Sequence, residues 1–509
     1  EVEEKDQKER QGQLNIAYIE LSQHVSLHRP EIVSTTIEYS EKVQNEKEDK
    51  QLPLFSHKGN KGSKVLVLDK ARYLGFRYTF FLEVIGKIFQ SFKFNQLKNQ
   101  LLLDLIMMRI IEPVSKLESL ELLGEMFGIH YGKSSLYQAI TAFPVLKGRA
   151  EEKVVQFAKK HFSFDFSLVF YDVTTLYFES FKEDGDENGQ AGLRKNGFSK
   201  DNKSNQPQIV IGLIVSREGF PVSYEIFSGN TFEGKTFIPA ILKFKDTYKV
   251  ATLTVVADAA MISFENVQEL IKNNLSYIVG ARMASLKTEQ IKEISTELTR
   301  KTQDLKELAK RDGSSMRIET ERGLLVCDFS LKRYQKDKRE MEKQIAKAER
   351  QLLDNKEAKR TKFLKNKDDK KTEQIINTEL IGKTKLLLGI KGYYTNLTHE
   401  EDKTIINHYH SLWHVEKAFR IAKSDLSMRP IYHFKEATIK AHILICFMAL
   451  TITKYMELKT GKSTRRLVKL LKSITDARIL NTLTGEEIIL RKEMSEEEKQ
   501  LWKTLTVPY

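Results

Sequence analysis

Two apolar segments that each end in an aspartate constrain the fold of this chain more than any other feature. Residues 167–178 (SLVFYDVTTLYF) begin as a buried strand, and Asp172 ends the apolar run. Residues 251–261 (ATLTVVADAAM) have the same form and lead to Asp258. Open α/β sheets place their chemistry outside the strand ends. The pattern therefore predicts two acids at one edge of a sheet.

A third acid, Glu416, stands in a predicted helix at residues 407–426 (NHYHSLWHVEKAFRIAKSDL), where Val415 and Phe419 are expected to pack inward. Three carboxylates from two strand ends and one helix can hold two divalent cations roughly 4 Å apart, an arrangement that activates water in phosphodiester chemistry. Mg²⁺ needs few carboxylates, because water and phosphate oxygens complete its shell. Each acid taken alone is explained more simply as a helix-surface or capping residue.

The elements around the two aspartates follow a recognisable order. After the first strand we predict a hairpin at residues 208–229, a helix at 236–247 and a strand at 253–257. A second helix at 263–274 and a last strand at 276–280 follow. This order matches an α/β fold with a ribonuclease-H-like catalytic core. Its mixed five-stranded sheet would have three antiparallel strands followed by parallel ones, with helices between them.

The rest of the chain divides by composition. We predict a polar segment of unclear role at residues 1–64 and a helical region at 65–160. The first part of the core is predicted at 161–282, a charged and mostly helical insertion at 283–390, and the second part of the core at 391–460. A C-terminal helical region follows at 461–509. Residues 127–143 could form the second half of a helix-turn-helix that contacts DNA, or could simply pack. In the insertion we expect two charged helices paired as an antiparallel arm around a strand at 323–331. Residues 434–458 are expected to pack behind the helix of Glu416, and residues 478–490 to close the core with a strand.

A basic loop follows the first aspartate. It contains the run RKNGFSKDNK at residues 194–203, with Arg194, Lys195, Lys200 and Lys203. Beside a carboxylate site, these side chains could hold phosphates. A solvated hairpin tip explains the same residues equally well.

The net charge indicates what kind of partner the chain binds, and the cysteine content indicates the redox state of its compartment. With 83 Lys and Arg against 69 Asp and Glu, the formal charge is +14, which favours a polyanionic partner, although a solvated lysine-rich surface would give the same value. Two cysteines are too few for a disulfide framework and indicate a reducing interior. The longest apolar run, residues 443–450, is short for a membrane span. We expect no membrane association and no signal peptide.

Together these motifs resemble those of the DDE transposases of bacterial insertion sequences. The branch with the greatest likeness has a last motif of Tyr, two residues, Arg, three residues, Glu, six residues and Lys. Tyr409, Glu416 and Lys423 stand at that spacing, whereas Leu412 occupies the place of the Arg, so one phosphate contact of the family is in doubt. The resemblance covers residues 60–456 and includes an insertion at the place where the family has one.

The resemblance implies a mechanism. Asp172, Asp258 and Glu416 would bind two Mg²⁺ ions, for which Mn²⁺ can substitute. Water would attack the phosphodiester at a transposon end, and the freed 3′-hydroxyl would then attack another strand. Tyr409 and Lys423 would hold phosphates near the scissile bond. The family further implies a DNA-hairpin intermediate, double-stranded DNA as the partner (transposon ends and target), a homodimer on DNA, and a cytoplasmic, nucleoid-associated location in a bacterium.

Three alternatives remain open from the residues. The chain could be a catalytically silent DNA-binding derivative of such an enzyme, although the intact acids argue against it. It could be a Mg²⁺-dependent nuclease of the same fold that does not join strands. His410 and His414, spaced four residues apart and near His408, could suggest zinc, but no Cys or His cluster accompanies them. Trp413 is expected to pack in the core.

Overall fold

The computed structural model divides the chain into two compact units. We call Glu1–Phe162 with Arg420–Tyr509 the terminal unit, and Ser163–Phe419 the central unit. The described residues are 20–23, 33–36, 68–164, 166–185, 192–203, 205–261, 263–300, 302–353, 361–366 and 374–506. The predicted segment 1–64 lies outside them except for two short strands.

The first part of the terminal unit contains three strands and five helices: β1 (Glu20–Gln23), β2 (Val33–Thr36), β3 (Ala71–Arg77), α1 (Thr79–Ser91), α2 (Gln100–Ile111), α3 (Lys116–Phe127), α4 (Lys133–Ile140) and α5 (Lys147–Phe162). The Asn99 side chain caps α2 by accepting the backbone N–H of Leu102 at 3.0 Å. Ser115 caps α3 as predicted, accepting from Glu118 at 3.2 Å. The prediction of helix for residues 71–77 was wrong, because this segment pairs as a strand.

Helix α4, which follows α3 in the chain, is the helix predicted within residues 127–143 as a possible second half of a helix-turn-helix. Gly128, with φ of 71°, ends α3 in the left-handed conformation that favours glycine. Leu136 and Ile140 of α4 are buried, whereas Tyr137 is exposed to solvent. An outward face is thus available, and DNA contact by α4 stays a prediction.

The central unit follows in the chain: β4 (Leu168–Tyr177), β5 (Gln208–Ser216), β6 (Pro221–Ser228), α6 (Glu233–Tyr248), β7 (Thr254–Ala257), α7 (Phe264–Lys272), β8 (Ser276–Gly280), α8 (Thr288–Thr299), α9 (Leu305–Ala309), β9 (Ser315–Thr320), β10 (Gly323–Phe329), α10 (Leu331–Leu353), β11 (Leu364–Asn366), β12 (Gln374–Ile376), α11 (Thr378–Leu386), β13 (Ile390–Thr395), α12 (Asp402–His410) and α13 (Trp413–Arg420). The predicted hairpin, the helices after it and the last parallel strand are all present.

Eight of the described strands of this unit form a mixed sheet in the order β6-β5-β4-β7-β8-β13-β10-β9, and β11 and β12 pair separately. Strands β4, β7 and β8 are parallel, and β5 and β6 extend the sheet antiparallel, as predicted. The sheet has eight strands, however, and not five. Strand β13 pairs antiparallel with β8, and the hairpin of β10 and β9 continues that edge. The insertion therefore builds part of the sheet.

The first helix of the insertion packs on this added edge. Ile291, Ile294 and Leu298 of α8 are buried, and the helix contacts β9, β10 and α11. The expected antiparallel arm of two charged helices was therefore wrong for α8. The long helix α10 is charged along most of its length and buries Tyr334, Met341 and Ala348.

The chain then returns to the terminal unit with α14 (Glu436–Thr460), α15 (Thr464–Lys472), β14 (Asp476–Asn481), β15 (Glu487–Arg491) and α16 (Glu496–Thr506). The two strands join a separate five-stranded sheet in the order β2-β1-β15-β14-β3. One prediction is corrected here, because the strand expected to close the catalytic core belongs to this second sheet. Inside the terminal unit, α14 packs on α2 and on Ile421–Asp425, the last turn of the helix predicted around Glu416.

Among the described helices, α14 alone is long and apolar enough to cross a membrane, and 78% of its most apolar window is buried inside the fold. Its residues from Ala441 to Glu457 are continuously buried. The burial explains the apolar composition, because a helix surrounded by other helices is apolar on every face.

Candidate active site

Asp172 and Asp258 meet through the register of two parallel strands. In β4 and β7, Tyr171 stands beside Ala257. Each aspartate is the next residue after this pair, so both carboxylates lie at the same point of the sheet. Asp258 follows the end of β7 as predicted, but the prediction that Asp172 ends its strand was wrong, because β4 continues to Tyr177 and Asp172 pairs with Leu213 of β5. The register of the two strands, and not a shared strand end, brings the acids together.

Desolvation and nearby charges shift the pKa of the first acid. The pKa of Asp172 is raised to about 6, mainly by burial, with smaller contributions from the charges of Asp258 and Glu233. Lys200 opposes this shift and forms an ion pair with Glu233 at 2.8 Å. Hard oxygen donors suit a divalent cation such as Mg²⁺.

Tyr409 is tied to the second aspartate. Its hydroxyl donates a hydrogen bond to Oδ1 of Asp258 at 3.2 Å, and its side chain is only 4% exposed. Burial and the nearby Asp258 carboxylate raise the pKa of Tyr409. Gly280 provides the space, because a Cβ at this position would collide with the tyrosine hydroxyl. Tyr409, predicted as a phosphate contact, is thus placed to orient a carboxylate.

Lys391 is the cation next to this tyrosine. Its Nζ lies 4.3 Å from the centre of the Tyr409 ring, a distance suited to a cation–π contact. Burial and the charge of Arg333 lower the pKa of Lys391, and the charges of Asp258 and Glu416 act against this shift. Lys391 therefore shares an electrostatic neighbourhood with the second and third acids.

Glu416 is exposed on α13. Val415 and Phe419 of the same helix are buried, as predicted. Leu412, at the place of the family's Arg, is buried as well. The prediction for Trp413 was wrong, since it is 50% exposed and stacks on the neighbouring His414 ring at 4.0 Å.

Within the described ranges, no three His, Cys, Asp or Glu side chains stand close enough together to hold a metal ion. The described histidines therefore form no zinc site of this kind, and the His410 ring instead forms a hydrogen bond with the Tyr393 hydroxyl at 3.2 Å. The same absence holds for the three acids. Asp172 and Asp258 form a pair, and Glu416 is linked to Asp258 through their shared neighbours Lys391 and Tyr409.

The four basic residues predicted as phosphate contacts in the loop differ in exposure. Arg194 is buried, and its guanidinium binds Asp184 at 2.5 Å, so it stabilises the loop. Lys195 is half-buried and pairs through its backbone with Gln208. Lys200 and Lys203 are exposed, and Lys203 lies 5.5 Å from the Tyr177 ring.

Lys423 follows α13 in a π-helical turn, Ile421–Asp425. This turn belongs to the terminal unit, and the lysine is half-buried there. Its phosphate contact stays a prediction.

The chain belongs to the family described as Transposase DDE domain. The family model matches residues 163–452, more than half of the chain, and spans the three acids. Among solved structures, the chain is similar to piggyBac transposase in a synaptic complex with hairpin DNA, at 10% identity over 77% of this chain and 78% of that one, with a TM-score of 0.37. It is also similar to Mos1 transposase in a paired-end complex with the left transposon end, at 15% identity over 32% and 50%, with a TM-score of 0.15. No curated protein matches the chain.

Sequence reasoning missed Lys391 and Glu233. Lys391 lies in the short motif GIKGYYT, where a lysine near the start of a strand carries no recognisable signal. Glu233 opens α6, where an acid is common for reasons of helix polarity alone. Both become visible as site residues only through tertiary contacts.

Proposed function

We propose that this protein is a DNA transposase that binds the terminal inverted repeats of a bacterial insertion sequence, cuts the DNA there and joins the freed 3′-hydroxyl to another strand. The proposal rests above all on one observation: in a member of the Transposase DDE domain family, Asp172 and Asp258 directly follow residues that pair across parallel strands. A Mg²⁺-dependent site with Glu416 as third ligand, able to accept Mn²⁺, is part of the proposal.

The donor set fits such a cation. Asp172, Asp258 and Glu416 offer carboxylate oxygens, and burial raises the pKa of Asp172, which a bound cation would lower again. When bound, Mg²⁺ would make water a better nucleophile and neutralise charge on the phosphate. The two-metal arrangement requires Glu416 to approach the aspartates, since the three do not form a metal-holding group among the described residues.

The other residues have supporting tasks. Tyr409 orients the Asp258 carboxylate through its hydroxyl, and Lys391 provides a positive charge beside Asp258 and Glu416. Lys200, Lys203 and, with smaller exposure, Lys195 would hold phosphates of the strand. Lys423 would do so from the terminal unit. A homodimer on paired DNA ends and a cytoplasmic location complete the proposal.

The decisive experiment compares the wild type with Asp258→Asn and Glu416→Gln on a supercoiled plasmid that carries the gene with its native flanking DNA. With Mg²⁺, the wild type should produce breaks at fixed borders of the element and joined products. Each variant should lose cutting by a factor on the order of 10³ or more, because a ligand of the cation is gone. Binding to the end DNA should stay within about twofold, since phosphate contacts dominate affinity.

Asp246→Asn is the matched control, because Asp246 is an exposed aspartate on α6. It should cut as the wild type does. Mg²⁺-dependent degradation without fixed positions or joined products would instead establish a nuclease. Binding without cutting by the wild type would establish a silent DNA-binding derivative.

A further inference from the structure

The ammonium of Lys200 is bound beside the first acid, although the residue itself lies in an exposed loop. Its Nζ donates to the carbonyl of Val173, the residue after Asp172, at 2.8 Å. The same ammonium forms an ion pair with Glu233 at 2.8 Å. The backbone N–H of Lys200 donates to Oγ1 of Thr175, on the same strand, at 3.2 Å. The lysine is therefore fixed at both its backbone and its ammonium to the elements around the first acid.

Glu233 is brought to this point by the first turn of α6. The Tyr171 hydroxyl donates to Oγ1 of Thr236 at 2.8 Å, and the threonine hydroxyl donates to the Glu233 carbonyl at 2.6 Å. Because Tyr171 directly precedes Asp172 in β4, these bonds tie the start of the helix to the strand of the first acid.

A second contact joins the start of α6 to the other acid. The side-chain amide of Asn266 donates to the carbonyl of Gly234 and to the carbonyl of Met261, in both cases at 2.8 Å. Met261 ends the short turn that begins directly after Asp258. The start of α6 is therefore held next to the turn that follows the second acid.

The charges of the ion pair reach the first acid. Burial raises the pKa of Asp172, and the charge of Lys200 acts against this shift while that of Glu233 adds to it. The lysine thus supplies positive charge where a divalent cation would otherwise supply it. Because like charges repel, an ammonium at this place lowers the affinity of the acids for a second cation.

We infer that Lys200 is a positioning residue whose ammonium acts as a stand-in for the cation at the acids and leaves Glu233 when Mg²⁺ binds. This inference rests on the proposed function, because the cation is the one proposed there. Lysine suits an exchangeable charge, since its flexible stem carries a compact ammonium that can move between partners. Once displaced, Lys200 is released to the phosphate contact proposed for it, so cation binding and strand binding are coupled.

The test measures cation binding by the purified full-length protein without DNA. Free Mn²⁺ is followed by its electron paramagnetic resonance signal, which is lost when the ion binds to protein. Lys200→Met removes the ammonium and keeps the stem, so Mn²⁺ should bind about tenfold more tightly than to the wild type. Asp172→Asn should lose most of the Mn²⁺ binding, which identifies the acids as the place where the ion binds.

Lys203→Met is the matched control. Lys203 is exposed in the same loop, but its ammonium lies 5.5 Å from the Tyr177 ring. The variant removes the same charge and should leave the Mn²⁺ dissociation constant within about twofold of the wild-type value. Lys200→Arg keeps the charge, so Mn²⁺ binding should stay as weak as in the wild type. A purely structural role would instead lower the melting temperature of Lys200→Met without tightening Mn²⁺ binding.

Three results would overturn the inference alone, provided that the wild type still cuts the element's ends with Mg²⁺. They are equal or weaker Mn²⁺ binding by Lys200→Met, equal tightening by Lys203→Met, and unchanged Mn²⁺ binding by Asp172→Asn. A wild type that binds no Mn²⁺ at the acids and cuts no plasmid would overturn the proposed transposase as well.

Discussion

The acid pair of the central unit and the ionic network around Arg491 in the terminal unit hold charge in opposite ways. Arg491 donates to both carboxylate oxygens of Asp476 at 2.6 and 2.7 Å and to Glu83 at 3.0 and 3.1 Å. Asp172, in contrast, is half-buried beside the exposed Asp258, and desolvation raises the pKa of Asp172 to about 6. A buried network that satisfies its own charges is structural, whereas two adjacent carboxylates that solvent can reach are suited to receive a cation.

The largest effect that tests this comparison is expected from Asp476→Ala. Asp476 is fully buried, and its removal leaves the Arg491 guanidinium with Glu83 as the remaining one of its two carboxylate partners. Breaking a buried ion pair from one side costs about 3–5 kcal/mol of unfolding free energy. Chemical denaturation of the variant and the wild type measures the loss. Asp246→Ala, on an exposed helix surface, should change the unfolding free energy by less than about 0.5 kcal/mol. A similar value for both variants would remove the distinction between the two regions.

A second prediction concerns Lys116, which is buried in the terminal unit against His433 at 2.6 Å and His442 at 3.1 Å. Burial and the charge of Arg109 lower the pKa of Lys116 to about 7, with Cys446 acting weakly against the shift. The folded protein thus releases this proton at lower pH than the unfolded chain. Stability should rise with pH from about 7 to 10, by roughly 1.4 kcal/mol per pH unit from this group.

Lys116→Met should remove that slope, because it removes the titrating group. Denaturation curves at a series of pH values, expressed as the difference between wild type and variant, measure the effect. Parallel pH profiles for the two proteins would show that Lys116 stays charged in the fold.

A third prediction tests the acid pair in the same terms. Because the folded pKa of Asp172, about 6, lies above its ordinary value, the protonated form stabilises the fold at low pH. That contribution is lost as the pH rises through about 6. Near pH 8 and in EDTA, Asp172→Asn should therefore be more stable than the wild type, by roughly 1–3 kcal/mol.

Added Mg²⁺ should reverse the order, since an ion that binds only the folded protein stabilises it. The melting temperature of the wild type should rise with Mg²⁺, and that of Asp172→Asn should rise much less. Equal stabilisation of both proteins by Mg²⁺ would count against a cation at Asp172.

The same comparison explains how much could be predicted from the sequence. Strands β5 and β8 were predicted with the observed bounds, because each is an apolar run between turn residues. The strand-end position predicted for the two aspartates was correct for Asp258 and wrong for Asp172, because β4 continues past Asp172 to Tyr177. Strand β3 was missed because it pairs with β14, near the other end of the chain, and no local pattern records such a partner.

The unpredicted parts of the site have the same cause. Lys391 becomes a neighbour of Tyr409 only because β13 adds to β8 antiparallel, which also makes the sheet larger than expected. The apolar pattern of α14 was read correctly as buried, but periodicity does not reveal which elements bury it. Local patterns identified the acids, and tertiary pairing determined what surrounds them.

The smallest predicted effect sharpens the contrast between buried and exposed charge. Arg465 in α15 forms an ion pair with Asp425 at 2.7 Å, but the arginine side chain is 77% exposed. Solvent and salt screen such a pair, so Arg465→Ala should reduce the unfolding free energy by less than about 1 kcal/mol. The same variant tests whether this basic helix contacts DNA. Unchanged stability with weaker DNA binding and a lower salt dependence would assign Arg465 to a phosphate contact. Unchanged stability with unchanged binding would leave it as a solvated surface charge, the opposite extreme from Arg491.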